Sequence, residues 1–128
     1  MVSAVYTVSK TRAFNVDFGL RDQIRRAAVS TMSNIAEGFE RGTRKEFVQF
    51  LNIAKGSNGE VRSQLCVAFD QKYIGEKEFN PLRDASIALS KKLAAFIRYL
   101  EGCTANSRVK KSPRAAANLQ LSTSNLQP

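Results

Sequence analysis

The side chains best suited to chemistry in this 128-residue chain are three carboxylates, Glu37, Glu46 and Glu60. Converging carboxylates can act as general acid and base, or can hold a divalent metal ion. Glu46, however, follows Thr43 at the spacing of a capping box, which explains it as part of a helix start. The chain has no histidine, which removes the usual general base and zinc ligand, and it has no glycine-rich phosphate loop. We therefore expect no catalytic residue, no metal site and no cofactor.

Basic side chains offer a second kind of chemistry, the binding of polyanions. The chain has 20 Lys and Arg against 11 Asp and Glu, a formal net charge of +9. Four of the basic residues and none of the acidic ones lie after Gly102, so residues 1–101 carry a net charge of +5. Neutralising phosphates releases counterions, which favours RNA or DNA as a partner. The predicted nucleic-acid-binding residues are Arg25, Arg26, Arg41, Arg44, Lys45, Lys55 and Arg62.

Three of these cations, Arg41, Arg44 and Lys45, crowd one predicted turn between helices, where a phosphate can approach a helix N-terminus. Glu40 and Glu46 dilute this cluster. The Phe and Tyr residues fall on predicted core stripes, so we expect none of the aromatic platforms on which bases stack. Contact with the nucleic-acid backbone, without sequence readout, is the expected mode.

Four polar side chains, spaced by four, four and three residues, share one helical face: Arg26, Ser30, Asn34 and Glu37. A solvated face is one interpretation. Ser and Asn are indifferent helix formers, which favours another, in which this line and Glu60 and Gln64 form hydrogen bonds between helices or subunits. The predicted interface residues are Arg26, Asn34, Glu37 and Glu60.

The elements that must position these side chains are helices. Apolar residues recur at intervals of three and four over 18–41, with Asp17 as the expected N-cap. The capping box starts a second helix, which the apolar pattern extends over 44–74. Asn80–Pro81 resembles an N-cap followed by Pro at the first helical position, and this third helix is expected to end at Gly102.

The remaining segments complete the predicted architecture. Met1–Thr11 predicts about two helical turns, which need packing to be stable. Gly56 and Gly59 interrupt the second helix and are expected to serve close packing or a bend. The fold class is therefore all-α: an up-and-down four-helix bundle over 1–102, with a short first helix and a disordered basic and polar tail over 103–128.

The two cysteines and the hydropathy pattern indicate the cellular compartment of the protein. Cys66 falls on an apolar helix face, so a buried, reduced thiol is expected, and Cys103 follows the last helix. No disulfide framework is indicated, which fits a reducing compartment. No segment has the roughly 18 apolar residues that cross a bilayer, and no secretory signal is visible. We expect a soluble, cytoplasmic protein that does not contact membranes.

Four short segments resemble a known bacterial family when they occur together: Asp22–Ala28, Ser33–Gly38, Lys45–Leu51 and Ala54–Ser57. These are the four-helix bundle proteins first noticed in intervening sequences of 23S ribosomal RNA genes. The resemblance covers roughly residues 17–100. It implies a bundle that assembles into a ring, typically a homopentamer. It also implies kinship with the accessory proteins of diversity-generating retroelements, which bind nucleic acid and a reverse transcriptase through a basic surface and have no known catalysis of their own.

Two positions depart from the pattern of this family. Met32 stands where the family usually has Pro, so the helix kink expected there is absent or softened. The first helix is shorter than in the family, which would leave one groove of the bundle partly uncovered.

Three functions remain open at this point. The first is a non-enzymatic, oligomeric adaptor that holds RNA or DNA electrostatically. The second is a structural or protein-binding scaffold, with a reverse transcriptase or another protein as partner. An enzyme that uses carboxylates is the weakest of the three.

Overall fold

The computed structural model describes residues 1–103, in which short turns join five α-helices. The helices are α1 (Val2–Val8), α2 (Arg12–Val16), α3 (Phe18–Glu40), α4 (Arg44–Asp70) and α5 (Glu76–Glu101). The described part contains no β-strand. The three long helices pack side by side, α3 on α4 and α4 on α5, and α1 packs against α3 and α5 as the short fourth arm. The predicted all-α bundle with a short first helix is thus confirmed, whereas the predicted tail over 103–128 lies outside the described residues except for Cys103.

Asp17 is the N-cap of α3 and also ties this helix to the turn that follows α4. Its Oδ1 accepts a hydrogen bond from the Leu20 amide at 3.1 Å, so the predicted N-cap is confirmed. Its Oδ2 accepts a hydrogen bond from the Tyr73 hydroxyl at 3.1 Å. This bond to the carboxylate, with desolvation and the negative charge adding to it, raises the pKa of Tyr73.

The second long helix ends four residues earlier than the apolar pattern predicts. The predicted end was residue 74, but α4 ends at Asp70 and Lys72 takes the left-handed conformation, with φ of 60°. The Tyr73 amide then donates to the Ala68 carbonyl at 2.9 Å, closing the helix end. A lysine occupies the position where glycine usually signals such an ending, so the sequence contained no clear stop.

The third long helix begins earlier than predicted. The expected start at Asn80–Pro81 is wrong, because the Gly75 amide donates to Glu78 Oε2 at 2.9 Å and α5 begins at Glu76. Pro81 therefore lies inside the helix and removes one backbone donor. The extra turn buries Phe79, whose ring stacks on Phe69 with centroids 4.6 Å apart, and this packing offsets the cost of the proline.

The first sixteen residues form two short helices where the sequence predicted one. The predicted helix over Met1–Thr11 appears as α1, and a further five-residue helix, α2, follows it. A helix of this length is too short to show apolar periodicity. Phe14 of α2 is fully buried, and its ring centroid lies 5.8 Å from that of Tyr73.

The core contains one face from each long helix, as the apolar spacing predicts, together with Val5 and Val8 of α1 and Phe14 of α2. Its members include Ile24, Ala27 and Ala28 of α3, Leu51, Val61 and Leu65 of α4, and Leu89, Leu93 and Ile97 of α5.

The glycines of the long helices serve different purposes. At Gly38 an added Cβ would lie 2.6 Å from the Cβ of Phe50, so glycine is what lets α3 and α4 approach here. At Gly56 and Gly59 an added Cβ would meet no atom within 4 Å, so the close packing predicted for them is wrong within the chain.

α3 also runs through Met32 as one continuous helix. Within residues 1–103, none of the helices has the length and apolar character that a bilayer span requires.

Candidate nucleic-acid interface and subunit contact

The turn between α3 and α4 carries the predicted cluster of Arg41, Arg44 and Lys45. Arg41 Nε lies 3.0 Å from Glu37 Oε1, and its guanidinium lies 5.2 Å from the centre of the Phe50 ring. Lys45 is exposed and Arg44 is half-buried. These three cations therefore share one end of the bundle, but one of them is already paired with a carboxylate.

The N-terminus of α4 at this turn is capped by its own side chains. The Glu46 amide donates to Thr43 Oγ1 at 3.3 Å, and the Thr43 hydroxyl donates to Glu46 Oε2 at 2.6 Å. The predicted cap is confirmed, and it puts a carboxylate where a phosphate would bind. A phosphate at this turn would therefore meet the exposed side chain of Lys45 rather than the helix terminus.

Two of the predicted nucleic-acid-binding residues are used inside the bundle. Arg25 Nε donates to Ser9 Oγ at 2.8 Å, and its guanidinium lies over the Tyr6 ring, so it ties α3 to α1. Arg62 lies between α4 and α5 and donates to the hydroxyls of Ser86 and Ser90 at 3.3 and 3.4 Å. Both side chains are only partly exposed, which leaves less of their charge for an external partner.

Lys55 is exposed, and its basic neighbours include Lys91 and Arg98 of α5, which the sequence did not single out. Arg44 and Lys55 are eleven residues apart, which is three turns, so they share one face of α4. On α5, Lys91 and Arg98 are seven residues apart, which is two turns, and both are exposed. Because α4 and α5 are antiparallel and Asn58 bonds to Ser86 and Ser90, Lys55 comes level with Lys91. We call Arg44, Lys55, Lys91 and Arg98 the basic face.

The predicted interface line on α3 forms fewer contacts between helices than expected. Ser30 Oγ lies 2.9 Å from Ser57 Oγ of α4, which joins the two helices. Asn34 Nδ2 instead donates to the Ser30 carbonyl and hydroxyl within its own helix, at 2.8 and 3.0 Å. Glu37 pairs with Arg41 of the same helix, as described above. Only Ser30 therefore forms a bond from this line to a neighbouring helix of the described chain.

A polar cavity of about 410 Å³ opens on the outer surface beside this serine pair. Its lining comes from α3 and α4: Gln23, Arg26, Ala27, Ser30, Ser57, Glu60 and Gln64. Gln64 Nε2 donates to Gln23 Oε1 at 3.4 Å, whereas Gln64 Oε1 is buried and has no hydrogen-bond partner. A buried acceptor without a partner is destabilising, so Gln64 Oε1 is a local cost of the contact between α3 and α4.

The three carboxylates considered for catalysis have separate positions. Glu37 pairs with Arg41, Glu46 caps α4, and Glu60 lines the polar cavity. Within residues 1–103, no three Cys, Asp or Glu side chains lie close enough together to hold a metal ion.

Some functional features differ from those that the sequence predicted. Cys66 is exposed, not buried, because it lies beyond the edge of the α4 core face. Two aromatic rings predicted to be in the core are largely exposed, Phe18 at 63% and Tyr99 at 68%. Asn58, by contrast, is fully buried between α4 and α5, which the sequence did not indicate.

Comparisons with known proteins place the chain in a family. Residues 1–95 match the family described as 23S rRNA-intervening sequence protein. The match includes α1 and α2, which precede the motifs that carry the sequence resemblance, and it ends within α5. No curated protein and no solved structure matches the chain.

Proposed function

The chain belongs to the 23S rRNA-intervening sequence protein family, and from this premise we propose that it is a non-enzymatic, self-assembling helical bundle that binds the backbone of RNA or DNA. The proposal has two parts, a polyanion-binding surface and a contact between subunits. Each part rests on a different group of side chains and is tested separately.

The basic face is the observation that carries the first part. Lys55, Lys91 and Arg98 are exposed on adjacent antiparallel helices, and Arg44 extends the row toward the α3–α4 turn. Arg44 and Lys55 are about 16 Å apart along α4, a spacing that spans several phosphates of an extended strand. The row contains no side chain arranged to read base edges, so binding is expected to depend on charge and not on sequence.

A salt series with a generic single-stranded RNA tests this part. The triple variant Lys55→Ala/Lys91→Ala/Arg98→Ala removes three exposed cations while keeping good helix formers. If each cation contacts a phosphate, the slope of log affinity against log salt becomes shallower by about 2. Fluorescence anisotropy at several salt concentrations measures both the affinity and the slope.

A charge-matched variant separates the basic face from net charge. Lys10, Arg12 and Lys77 are exposed cations outside the basic face, and replacing all three by Ala changes the net charge equally. This control should retain most of the RNA affinity. Equal losses in both variants would show that the basic face has no special role, and undetectable binding by the parent protein would refute this part of the proposal.

The polar cavity between α3 and α4 supports the second part, a homo-oligomer that the family resemblance suggests is a pentamer. Arg26 and Glu60 line the cavity with opposite charges. The exposed Arg26 and Glu60 side chains can each pair with an oppositely charged group of a second copy. The exposed Ile53 and Val67 on the same side of α4, at 51% and 45%, add apolar area to such a contact.

Light scattering after gel filtration tests the assembly directly. The parent protein should elute as an oligomer, whereas Arg26→Ala/Glu60→Ala should shift it toward the monomer. Asn34→Leu tests whether Asn34, a half-buried residue of the predicted interface, contributes to the same contact between subunits. A monomeric parent protein would refute this second part and leave the first part intact.

A protein-binding scaffold without nucleic acid is the alternative, and the exposed Ile53 and Val67 favour it. The family resemblance suggests a reverse transcriptase as such a protein partner. Oligomers that form normally but show no salt-dependent RNA affinity would support the scaffold over the adaptor.

A further inference from the structure

A second, larger cavity lies at the opposite end of the bundle from the α3–α4 turn. It has a volume of about 1040 Å³ and lies where the end of α4, the turn after it and the start of α5 meet. We call it the acidic cleft. Its lining residues include Cys66, Phe69, Asp70, Lys72, Tyr73, Ile74, Glu76, Glu78 and Phe79.

The floor of the acidic cleft is apolar and its rim is mostly acidic. Phe69 and Phe79 stack at 4.6 Å between centroids, and Phe69 is still 37% exposed. Asp70 and Glu76 are exposed at the rim, and Glu78 is engaged with the Gly75 amide. In the described lining, Lys72 is the one cation. The cleft also contains the C-terminal end of α4, where the helix dipole favours positive charge.

These properties select the chemistry of the occupant. Carboxylates repel the phosphates of nucleic acid, so the cleft is not an extension of the basic face. The acidic groups do not form a cluster that could hold a metal ion. The Phe79 ring is buried and the Arg83 guanidinium lies 5.4 Å from its centre, so Phe69 is the floor ring open to a ligand. An exposed ring beside separated carboxylates suits a peptide with several Lys or Arg, whose alkyl stems pack on the Phe69 ring while their charged ends meet the rim.

We infer that the acidic cleft binds the basic segment 108–114 of a second copy of this chain. The segment reads Arg-Val-Lys-Lys-Ser-Pro-Arg, with four cations and no acidic residue. The segment follows α5 in the sequence. Residues 1–101 carry a net charge of +5 and repel the segment as a whole, so it needs a local surface of opposite charge. The acidic cleft provides the complementary surface, and Val109 provides an apolar side chain for its floor.

The length of the intervening chain assigns the contact to a second copy. The cleft lies at the start of α5 and Cys103 lies past its end, about 35 Å away along a helix of this length. Residues 103 to 111 span at most about 29 Å when fully extended. Lys110 and Lys111 therefore fall short of the cleft of their own chain, and Arg114 comes within range only when residues 103 to 114 are fully extended, at about 40 Å. Docking of the whole segment therefore requires the cleft of a neighbouring copy.

Cys66 provides a reporter inside the cleft for a test in the full-length protein. The test variant carries Cys103→Ser and Val109→Cys, so that Cys66 and the new thiol at position 109 are its cysteines. Oxidised glutathione serves as the oxidant. We expect covalent dimers and larger species on non-reducing gels, formed quickly at low salt and several-fold more slowly at high salt.

Two controls distinguish docking from random collision. Moving the new thiol to Ser124, outside the basic segment, should slow cross-linking several-fold. Adding Asp70→Asn/Glu76→Gln to the test variant should slow it similarly, whereas the charge-matched Asp84→Asn/Glu101→Gln should not. Cross-links that form equally in all variants would overturn the inference.

A third outcome distinguishes a contact within one chain from a contact between two copies. A covalent loop within a single chain, seen as a faster-migrating monomer, would show that the segment reaches its own cleft and would also overturn the inference. Because cross-linking is measured without RNA, its result is independent of polyanion binding. Because it does not involve the polar cavity, it is also separable from the contact tested by Arg26→Ala/Glu60→Ala.

Discussion

At the scale of single residues, the glycines distinguish a helix contact inside the chain from an uncovered helix surface. Gly38→Ala would put a Cβ 2.6 Å from the Cβ of Phe50 and 3.0 Å from Cδ2 of Phe47, so α3 and α4 must separate. We expect this variant to lose about 1–3 kcal/mol of unfolding free energy, as overpacked sites do. Urea unfolding followed by circular dichroism measures the loss.

Gly56→Ala is the matched control, because position 56 lies on α4 with open space around it. An alanine there is expected to raise the unfolding free energy by roughly 0.5–1 kcal/mol, since glycine is the poorer helix former. The comparison is made at a concentration at which the protein is monomeric. A Gly38→Ala variant as stable as the parent would contradict the close approach of α3 and α4.

Tyr73 gives a residue-scale prediction for alkaline pH. The hydrogen bond to Asp17 raises its pKa above the ordinary value of 10.0, so the folded protein keeps this proton when the unfolded chain has lost it. The folded state then binds more protons, and stability falls as pH rises above about 10. At neutral pH both states are protonated, and this pH dependence is absent.

The tyrosinate absorbance of the parent minus that of Tyr73→Phe isolates the titration of Tyr73. Its midpoint should lie above 10.0. Asp17→Asn keeps a capping oxygen for α3 but removes the charge, and should bring the midpoint down toward the ordinary value. A midpoint unaffected by Asp17→Asn would show that the carboxylate is not the cause.

At the scale of the elements, Asn58 determines how α4 and α5 align. Its Nδ2 donates to the Ser86 carbonyl at 2.7 Å and to Ser90 Oγ at 2.9 Å, and Ser86 Oγ donates to Asn58 Oδ1 at 3.2 Å. These hydrogen bonds lie in the interior of the bundle, because Asn58 and Ser86 are both fully buried. A buried polar group with good partners fixes one register, because a shifted helix would leave those groups without partners.

Replacing Asn58 by Leu should therefore destabilise the bundle by about 2–3 kcal/mol, since the Ser86 hydroxyl would lose an acceptor while buried. Ser90→Ala is the milder comparison, with an expected loss of about 1 kcal/mol, because Ser90 is only partly buried. Thermal and urea unfolding give both values. A more stable Asn58→Leu protein would show that the alignment comes from apolar packing alone.

The sequence predicted helices better than it predicted their ends and their outer surfaces. Apolar spacing identified the three long helices, and Asp17 and the Thr43–Glu46 pair marked two starts, because caps are local chemistry. The start of α5 was missed because Gly75 and Glu78 form an unusual cap ahead of Pro81. The sequence did not indicate Lys91 and Arg98 as members of a basic surface, because their proximity to Lys55 depends on how α4 and α5 align.

At the scale of the whole molecule, the side chains proposed for the two kinds of binding lie in different places on the bundle. Arg41, Arg44 and Lys45 lie at the α3–α4 turn, while Asp70 and Glu76 lie at the acidic cleft on the opposite end. Such a molecule presents different surfaces to a polyanion and to a second copy of itself. Its two proposed partners therefore need not compete for one site.

Self-assembly makes a prediction about stability of the whole molecule. If copies contact one another through the polar cavity, binding between folded subunits stabilises the native state by mass action. The Tm of the parent protein should then fall on dilution through the range where oligomers dissociate. A purely monomeric bundle would have a Tm independent of concentration.

The variant Arg26→Ala/Glu60→Ala completes this test, because both residues are exposed in the single chain and line the cavity. Its Tm should approach that of the dilute parent and should change much less with concentration, since surface substitutions usually alter stability by about 0.5 kcal/mol or less. Any remaining dependence would come from the separate contact at the acidic cleft. Lys10→Ala/Glu101→Ala, which also removes one exposed charge of each sign but lies outside both cavities, should keep the dependence on dilution. If instead the cavity variant retains the full dependence of the parent, subunits meet elsewhere and the polar cavity is not their contact.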